Sequence, residues 1–151
     1  MREVFHEQLD RVSDDLVEMT SLVGSAMNRA TQALLDADLH LAESVIAGDS
    51  TIDDLAAQVE ADCYQVSVRQ QPVATDLRTI VAALRISASL ERMGDLAAHI
   101  AKSARLRYPA SAIPAELRPT FQAMGSVAQN VVAKTGAVIA TKDITLAGDV
   151  A

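Results

Sequence analysis

The sequence predicts an all-α protein, and three observations indicate this class. Half of its 151 residues are hydrophobic but only 3% are aromatic, so the core is built mainly from small aliphatic side chains. Such a core suits close helix packing better than sheets, which depend on aromatic and β-branched strands. Apolar residues recur at spacings of three and four, and prolines stand between long uninterrupted stretches. We therefore expect a bundle of long antiparallel helices.

The first three helices follow from this periodicity and from capping residues. An apolar stripe predicts a first helix over 3–36, and Asp38 is a suitable N-cap for a second helix over 39–70. Pro72 fits the first turn of a helix but not its interior, so a third helix is expected from Val73 to Arg107. At the usual rise per residue this third helix is a rod of roughly 50 Å.

Short connections force these helices to run up, down and up, so residues 1–107 are predicted to form a three-helix bundle. Prolines then mark a linker over 108–114, and residues 115–151 read as a fourth helix to about Thr141 and the start of a fifth, capped by Asp143.

An internal repeat accounts for this second part. Sliding the chain by 105 residues places Arg29 on Lys134 and Asp38 on Asp143, and apolar positions mostly match apolar ones. Any two amphipathic helices align at some offset, and the alternative of chance similarity stays open. On the repeat interpretation, residues 115–151 begin a second bundle that is truncated.

Composition and charge exclude several classes of function. The net charge is −7, with 14 acidic residues before position 63, and an acidic chain with few aromatics is a poor candidate for nucleic-acid binding. The single cysteine, Cys63, excludes an internal disulfide. Without a signal segment or a long uncharged apolar run, we expect a soluble, cytoplasmic protein.

Two pairs of acidic residues, each pair one helical turn apart, are the strongest candidates for a site. They are Asp49 with Asp53 on helix two and Glu91 with Asp95 on helix three. If the turn between helices two and three lies near Pro72, residues that face each other across the two helices have numbers that sum to about 144. The four carboxylates are therefore expected at one level along the bundle. Like charges so close repel one another unless a cation or shared protons compensate them.

A multivalent metal ion is the natural counter-charge for such a set. Hard oxygen ligands suit iron, manganese, magnesium or calcium, and zinc is an alternative. By the same rule Ser21, Gly24 and Ser25 on helix one are expected at this level, where small side chains leave room. His99 is a further candidate ligand, although a lone histidine in a helix is more often solvated or packed.

A stripe of three arginines runs along helix three. Arg78, Arg85 and Arg92 recur every seven residues, which places them on one face. We interpret them as a partner-docking or anion-binding strip, with ion pairing to the acidic helices as an equally good alternative.

Three segments together resemble the PhoU family of phosphate-transport regulators. They are QQPVATDLR before the third helix, LERMGD within it and GDSTID on the second helix. The resemblance implies tandem three-helix bundles whose acidic pairs bind multinuclear iron or zinc clusters. Transferred to this sequence, the first site comprises Asp49, Asp53, Glu91 and Asp95, and the second would lie beyond Ala151.

The resemblance also implies a function. Members of this family act as cytoplasmic adaptors of the phosphate ABC transporter, through its ATPase, and of a sensor histidine kinase, and they repress the phosphate-starvation response. We expect a non-enzymatic, metal-binding regulator of this kind. The alternatives are a plain helical scaffold without metal and, ranked lower, a di-iron carboxylate enzyme, for which Glu3 and His6 form the only Glu-x-x-His pair.

Self-association is the last expectation. The fourth helix carries many apolar residues with no following helices to cover them, and such a surface seeks a partner. We expect it to dimerise, to swap or to fold back on the first bundle. Its apolar residues are Phe121, Met124, Val127, Val131, Val132, Val138 and Ile139.

Overall fold

The computed structural model describes residues 2–70 and 74–150, with side chains described over 6–68 and 74–150. Five α-helices and one short 3₁₀ turn follow one another along these residues. They are α1 (Arg2–Asp36), α2 (Leu39–Gln70), α3 (Ala74–Arg107), the 3₁₀ turn Ala115–Leu117, α4 (Arg118–Thr141) and α5 (Ile144–Gly148). The predicted all-α class is confirmed, and Pro72 with the predicted helix start at Val73 lies outside the described residues.

The turn between α1 and α2 shows why these helices end where they do. Ala37 has a positive φ of 52°, a left-handed conformation that stops α1. Asp38 then caps α2, because its Oδ1 accepts a hydrogen bond of 2.9 Å from the backbone N–H of Leu41. The N-cap predicted at Asp38 is therefore present.

Helix α1 is the centre of the molecule, because it packs against α2, α3 and α4. One core cluster joins α1, α2 and α3 around the fully buried Met19, Val59 and Leu90, and Val132 of α4 completes it. A second cluster at the other end of the bundle is built mostly from alanine, including Ala30, Ala42, Ala97 and Ala101. These small side chains let the long helices approach closely.

Helix α4 folds back on α1 through two glycines. A β-carbon placed on Gly136 would lie 2.5 Å from Thr20 Oγ1, and one placed on Gly125 would lie 2.5 Å from Thr31 Cγ2. Both approaches are closer than any side chain at those positions allows, so glycine is required for this contact. Of the three outcomes expected for the fourth helix, folding back is the one observed.

The two contacts are related by the 105-residue offset, since Thr20 corresponds to Gly125 and Thr31 to Gly136. The same offset relates the two helix junctions: Lys142, like Ala37, has a positive φ, of 56°. Helices α1 and α4 therefore pack as an antiparallel pair with approximate two-fold symmetry.

Asp143 repeats the cap of Asp38. Its Oδ1 accepts hydrogen bonds of 2.8 Å from the N–H of Thr145 and 3.2 Å from that of Leu146. These local features recur at the spacing that the sequence repeat requires. The division into domains at 108–114 stays a prediction.

Part of α4 remains uncovered in this single chain. Met124 and Val127 are 61% and 63% exposed, whereas Val132 is 1% exposed against α1. The remaining apolar face lies on the side of α4 that points away from the bundle. Among the described helices none is long and apolar enough to cross a membrane.

Candidate functional site

The acidic pairs meet across the seam between α2 and α3. A β-carbon placed on Gly94 would lie 3.3 Å from Asp49 Oδ1 and 2.9 Å from Ile52 Cδ1. Gly94, which stands between Glu91 and Asp95 in the third helix, thus leaves the space that the Asp49 carboxylate occupies. This contact has the antiparallel register that the sequence predicted for α2 and α3.

Asp53 and Glu91 face one another in the same seam. Both line an open cleft of about 430 Å³ between the two helices, together with Glu60, Leu84 and Ser87. Asp53 is exposed and Glu91 is half-buried, so water and ions reach the cleft freely. The structure therefore brings the predicted carboxylates to one level, on the outer side of the bundle.

The electrostatics of Asp49 reflect this crowding. Partial burial raises the pKa of its carboxyl group, and the negative charges of Asp53 and Asp95 raise it further, against the opposing effect of Lys102 and His99. Repulsion between Asp49 and its acidic neighbours is thus present in the fold without a full counter-charge.

The imidazole of His99 makes a bond to its own helix. Nδ1 lies 2.8 Å from the backbone oxygen of Asp95, which can only accept, so Nδ1 carries the proton. The remaining nitrogen, Nε2, is on an exposed side chain beside the acidic pairs. Unlike Nδ1, this nitrogen does not take part in the hydrogen bond to the backbone oxygen of Asp95.

The described side chains do not form a ready-made coordination sphere. No group of three or more His, Cys, Asp or Glu side chains within the described part of the chain is placed to hold a metal ion. Rotation of exposed carboxylates, such as those of Asp53 and Asp95, is needed before three of them share one ion.

The expected contribution of α1 is wrong. Ser21, Gly24 and Ser25 line a groove between α1 and α4, not the α2–α3 seam. Counting residues from a turn gives a level along the bundle but not a direction around the helix. At 100° per residue, these positions lie on the side of α1 opposite its core-facing residues.

The arginine stripe lies on the outer face of α3. Arg78, Arg85 and Arg92 are all exposed. Within the part of the chain that the structure describes, the one ion pair joins Arg118 to Asp36, so the three arginines form none there. The interpretation that they pair with the acidic helices is therefore not supported by the described contacts.

Sequence reasoning missed two residues of the seam. Lys102 lowers the pKa of Asp49 and so opposes the effect of its acidic neighbours, and Glu60 adds another carboxylate to the cleft. A signal for each was present: Lys102 follows Asp95 by seven residues and Glu60 follows Asp53 by seven, so each lies on the same face as its partner.

Comparison with known proteins bears on this arrangement. The PhoU domain matches residues 16–104, a range that includes most of α1 and the acidic pairs on α2 and α3. The chain belongs to the PhoU domain family. The resemblance read from the three sequence segments is thereby confirmed.

Similar proteins carry consistent names. A phosphate-specific transport system accessory protein, PhoU homolog 2 of Mycobacterium tuberculosis, is 50% identical over 128 residues, which cover 85% of this chain and 60% of that protein. PhoU homolog 1 of Mycobacterium leprae is 48% identical over 128 residues, or 58% of its length. The PhoU homolog of Aquifex aeolicus is 41% identical over 100 residues, covering 66% of this chain and 45% of that protein.

The chain thus spans about 60% or less of the length of these relatives. The relatives are named accessory proteins, not enzymes.

Proposed function

We propose that this chain acts as a cytoplasmic, non-enzymatic accessory adaptor in phosphate transport. In this role it represses phosphate uptake and the phosphate-starvation response through the ATPase of the phosphate ABC transporter and a sensor histidine kinase. The observation that carries the proposal is the match to named transport accessory proteins at 50% identity over 85% of the chain.

We further propose that Asp49, Asp53, Glu91 and Asp95 bind metal. Iron or zinc, in one or more ions, is the leading choice, and another divalent cation would use the same oxygen ligands. The support is chemical: acidic side chains converge on one seam, partial burial and then the acidic neighbours raise the pKa of Asp49, and no described ion pair neutralises the set. A bound cation would supply the missing positive charge, and rotation of the exposed carboxylates would complete its ligands.

Two alternatives are weaker. A scaffold without metal explains the fold but leaves the crowded carboxylates without a purpose. A di-iron enzyme needs Glu-x-x-His pairs on core helices, and the candidate pair, Glu3 and His6, stands in the first two turns of α1, away from the acidic seam.

The outer face of α3 is the proposed docking surface. Its three arginines stand among exposed apolar side chains, with Leu77 48% and Val81 39% exposed. Arginine next to solvent-exposed aliphatic groups is typical of protein interfaces. A partner for this face presents carboxylates around an apolar patch, because the arginines lack acidic partners within the described chain.

Direct binding tests this proposal. Purified chain, immobilised at one end, is exposed to the ATPase subunit of the phosphate transporter and to the cytoplasmic part of the sensor kinase from the same organism. We expect one or both to bind, and the triple variant Arg78→Gln, Arg85→Gln, Arg92→Gln to bind at least about tenfold more weakly. Arg105→Gln with Arg107→Gln, at the end of the same helix, is the control for lost positive charge. Absence of binding to both partners would contradict the adaptor role, and equal binding by the triple variant would contradict the docking surface alone.

Self-association is proposed for the uncovered face of α4. Met124, Val127 and Val131 form its exposed apolar part, and two copies of this face would cover one another as a homodimer. Light scattering after size exclusion is expected to give twice the chain mass, and Val127→Glu is expected to restore the single-chain mass. A monomeric parent protein at all concentrations would contradict the dimer.

A further inference from the structure

A second groove, lined mostly by residues with polar side chains, has no role in the proposed function. It lies between α1 and α4 and has a volume of about 470 Å³. Hydroxyl, amide and guanidinium groups line it, and no carboxylate belongs to its lining. The neighbouring groove between α1 and α4 also lacks a carboxylate, but only the first of the two contains a cationic side chain, that of Arg29. Its polar lining residues are Thr20, Ser21, Ser25, Asn28, Arg29 and Gln129.

The floor of the groove is held in place by its own contacts. Asn28 Nδ2 donates a hydrogen bond of 3.0 Å to Gln129 Oε1 and so links α1 to α4. The Thr20 hydroxyl donates to the backbone oxygen of Val17 over 2.7 Å. These contacts fix the positions of the groove walls.

Ser21 and Ser25 differ from the majority of the helical serines. Most helical serine hydroxyls here donate to a carbonyl three or four residues earlier, as those of Ser50, Ser89 and Ser103 do. Within the described residues the hydroxyls of Ser21 and Ser25 have no such partner, and both side chains are exposed in the groove. Their donors are thus available at the surface of α1.

Arg29 completes a row at spacings of four, so Ser21, Ser25 and Arg29 lie on one face of α1. Its side chain is half-buried, and a terminal nitrogen donates to the Ser44 hydroxyl on α2. No carboxylate of the described chain lies within 4.0 Å of its guanidinium. A guanidinium has five N–H donors, and the bond to Ser44 uses one of them while fixing the group in place.

We propose that this groove binds a small tetrahedral oxyanion between Arg29 and Ser25. Residues four apart on a helix are neighbours, and both Ser25 and Arg29 line this groove, so one ion can meet both side chains. The guanidinium supplies charge and paired donors, and the Ser25 hydroxyl supplies a third donor. The site is independent of the acidic seam and of the adaptor function.

Inorganic phosphate is the probe for this site. It is titrated into ¹⁵N-labelled full chain at constant ionic strength, with chloride as the reference salt. We expect saturable shifts at the Ser25 amide and the Arg29 side-chain N–H signals. Arg29→Gln is expected to weaken binding roughly tenfold or more, because it removes a charge-assisted hydrogen bond. Arg29→Lys is expected to retain part of it.

Arg105→Gln, at an exposed position near the end of α3, is the matched control and is expected to bind as the parent does. Sulfate in place of phosphate separates recognition of a tetrahedral oxyanion in general from recognition of phosphate. Thermal melts establish that Arg29→Gln is folded, so that weaker binding is not a folding defect. Shifts that are linear in phosphate, that map away from this groove or that are unchanged in folded Arg29→Gln overturn the proposal.

Discussion

The carboxylate of Asp49 packs against Gly94, since a β-carbon placed at position 94 would lie 3.3 Å from Asp49 Oδ1. The glycine stands within the second acidic pair, three residues after Glu91 and directly before Asp95. The Asp49 carboxylate of α2 therefore lies where α3 has no side chain, and this allows α2 and α3 to approach closely at the acidic seam.

Alanine at position 94 is expected to destabilise the protein relative to alanine at position 48. A β-carbon on Gly94 would lie 2.9 Å from Ile52 Cδ1, whereas one on Gly48 meets nothing within 4 Å. Overpacking costs about 1–3 kcal/mol, and replacing glycine by alanine within a helix gains about 0.5–1 kcal/mol. Gly48→Ala is therefore predicted to raise the free energy of unfolding. The free energy of unfolding of Gly94→Ala is predicted to be about 1–3 kcal/mol lower than that of Gly48→Ala.

Urea unfolding followed by circular dichroism measures both free energies of unfolding. Ile52→Val in the Gly94→Ala background removes the methyl group that is approached most closely and is expected to recover part of the loss. Equal stability of the two alanine variants would show that the α2–α3 seam tolerates a side chain at position 94.

The contact between α1 and α4 predicts energetic coupling between Thr20 and Gly136. A β-carbon on Gly136 would lie 2.5 Å from Thr20 Oγ1 and 3.2 Å from its Cβ. Gly136→Ala is expected to cost about 1–3 kcal/mol. Thr20→Ala removes the closest atom, so the double variant is expected to recover at least about 1 kcal/mol. A double-mutant cycle of urea unfolding measures the coupling, and strictly additive effects would place α4 elsewhere.

Removal of the charge of Asp15 is predicted to stabilise the protein by an amount that depends on pH. Burial raises the pKa of its carboxyl group, followed by the charges of Asp62 and Glu18, while Arg11 opposes them. Because the native pKa is raised, protonation of Asp15 favours the folded state. This contribution to stability is fully present below the unfolded pKa, near 3.8, and is lost as pH rises through the native pKa. Asp15→Asn avoids this loss and is predicted to raise the melting temperature at pH 7.

Melting temperatures between pH 4 and pH 7, in the presence of a chelator, check this sign. The advantage of Asp15→Asn over the parent is expected to grow as pH rises. Asp10→Asn, at an exposed position of the same helix, controls for the removal of one negative charge from an acidic protein. A gain that is the same at both ends of the range, or equal to that of Asp10→Asn, would contradict the effect of burial.

Much of the fold follows from the sequence because its signals are local. The helix boundaries at Asp36, Leu39 and Arg107 depend on capping residues and on the end of an apolar stripe, which neighbouring residues determine. The level at which the acidic pairs meet follows from the length of the helices and the position of one turn. Both kinds of inference need little knowledge of tertiary packing.

Directions around the helices were harder to predict. Ser21 and Ser25 were predicted at the correct level but on the wrong side of α1. A sum of residue numbers gives a position along the bundle but not the direction of a side chain around its helix. The return of α4 onto α1 depends on Gly125 and Gly136 meeting two threonines, and nothing in a single sequence identifies such partners in advance. Lys102 was missed because its influence on Asp49 crosses from one helix to another.

Metal analysis of the carboxylate variant tests the central claim most directly. The full chain and the variant Asp49→Asn, Asp53→Asn, Glu91→Gln, Asp95→Asn are purified without chelators, and their iron, zinc and manganese are measured by plasma mass spectrometry. These changes preserve side-chain shape while removing the negative charges, and circular dichroism verifies that the variant is folded. We expect at least one metal ion per parent chain and loss of that metal in the variant. A parent without metal after exposure to iron and zinc, or a folded variant that holds as much metal as the parent, would contradict it.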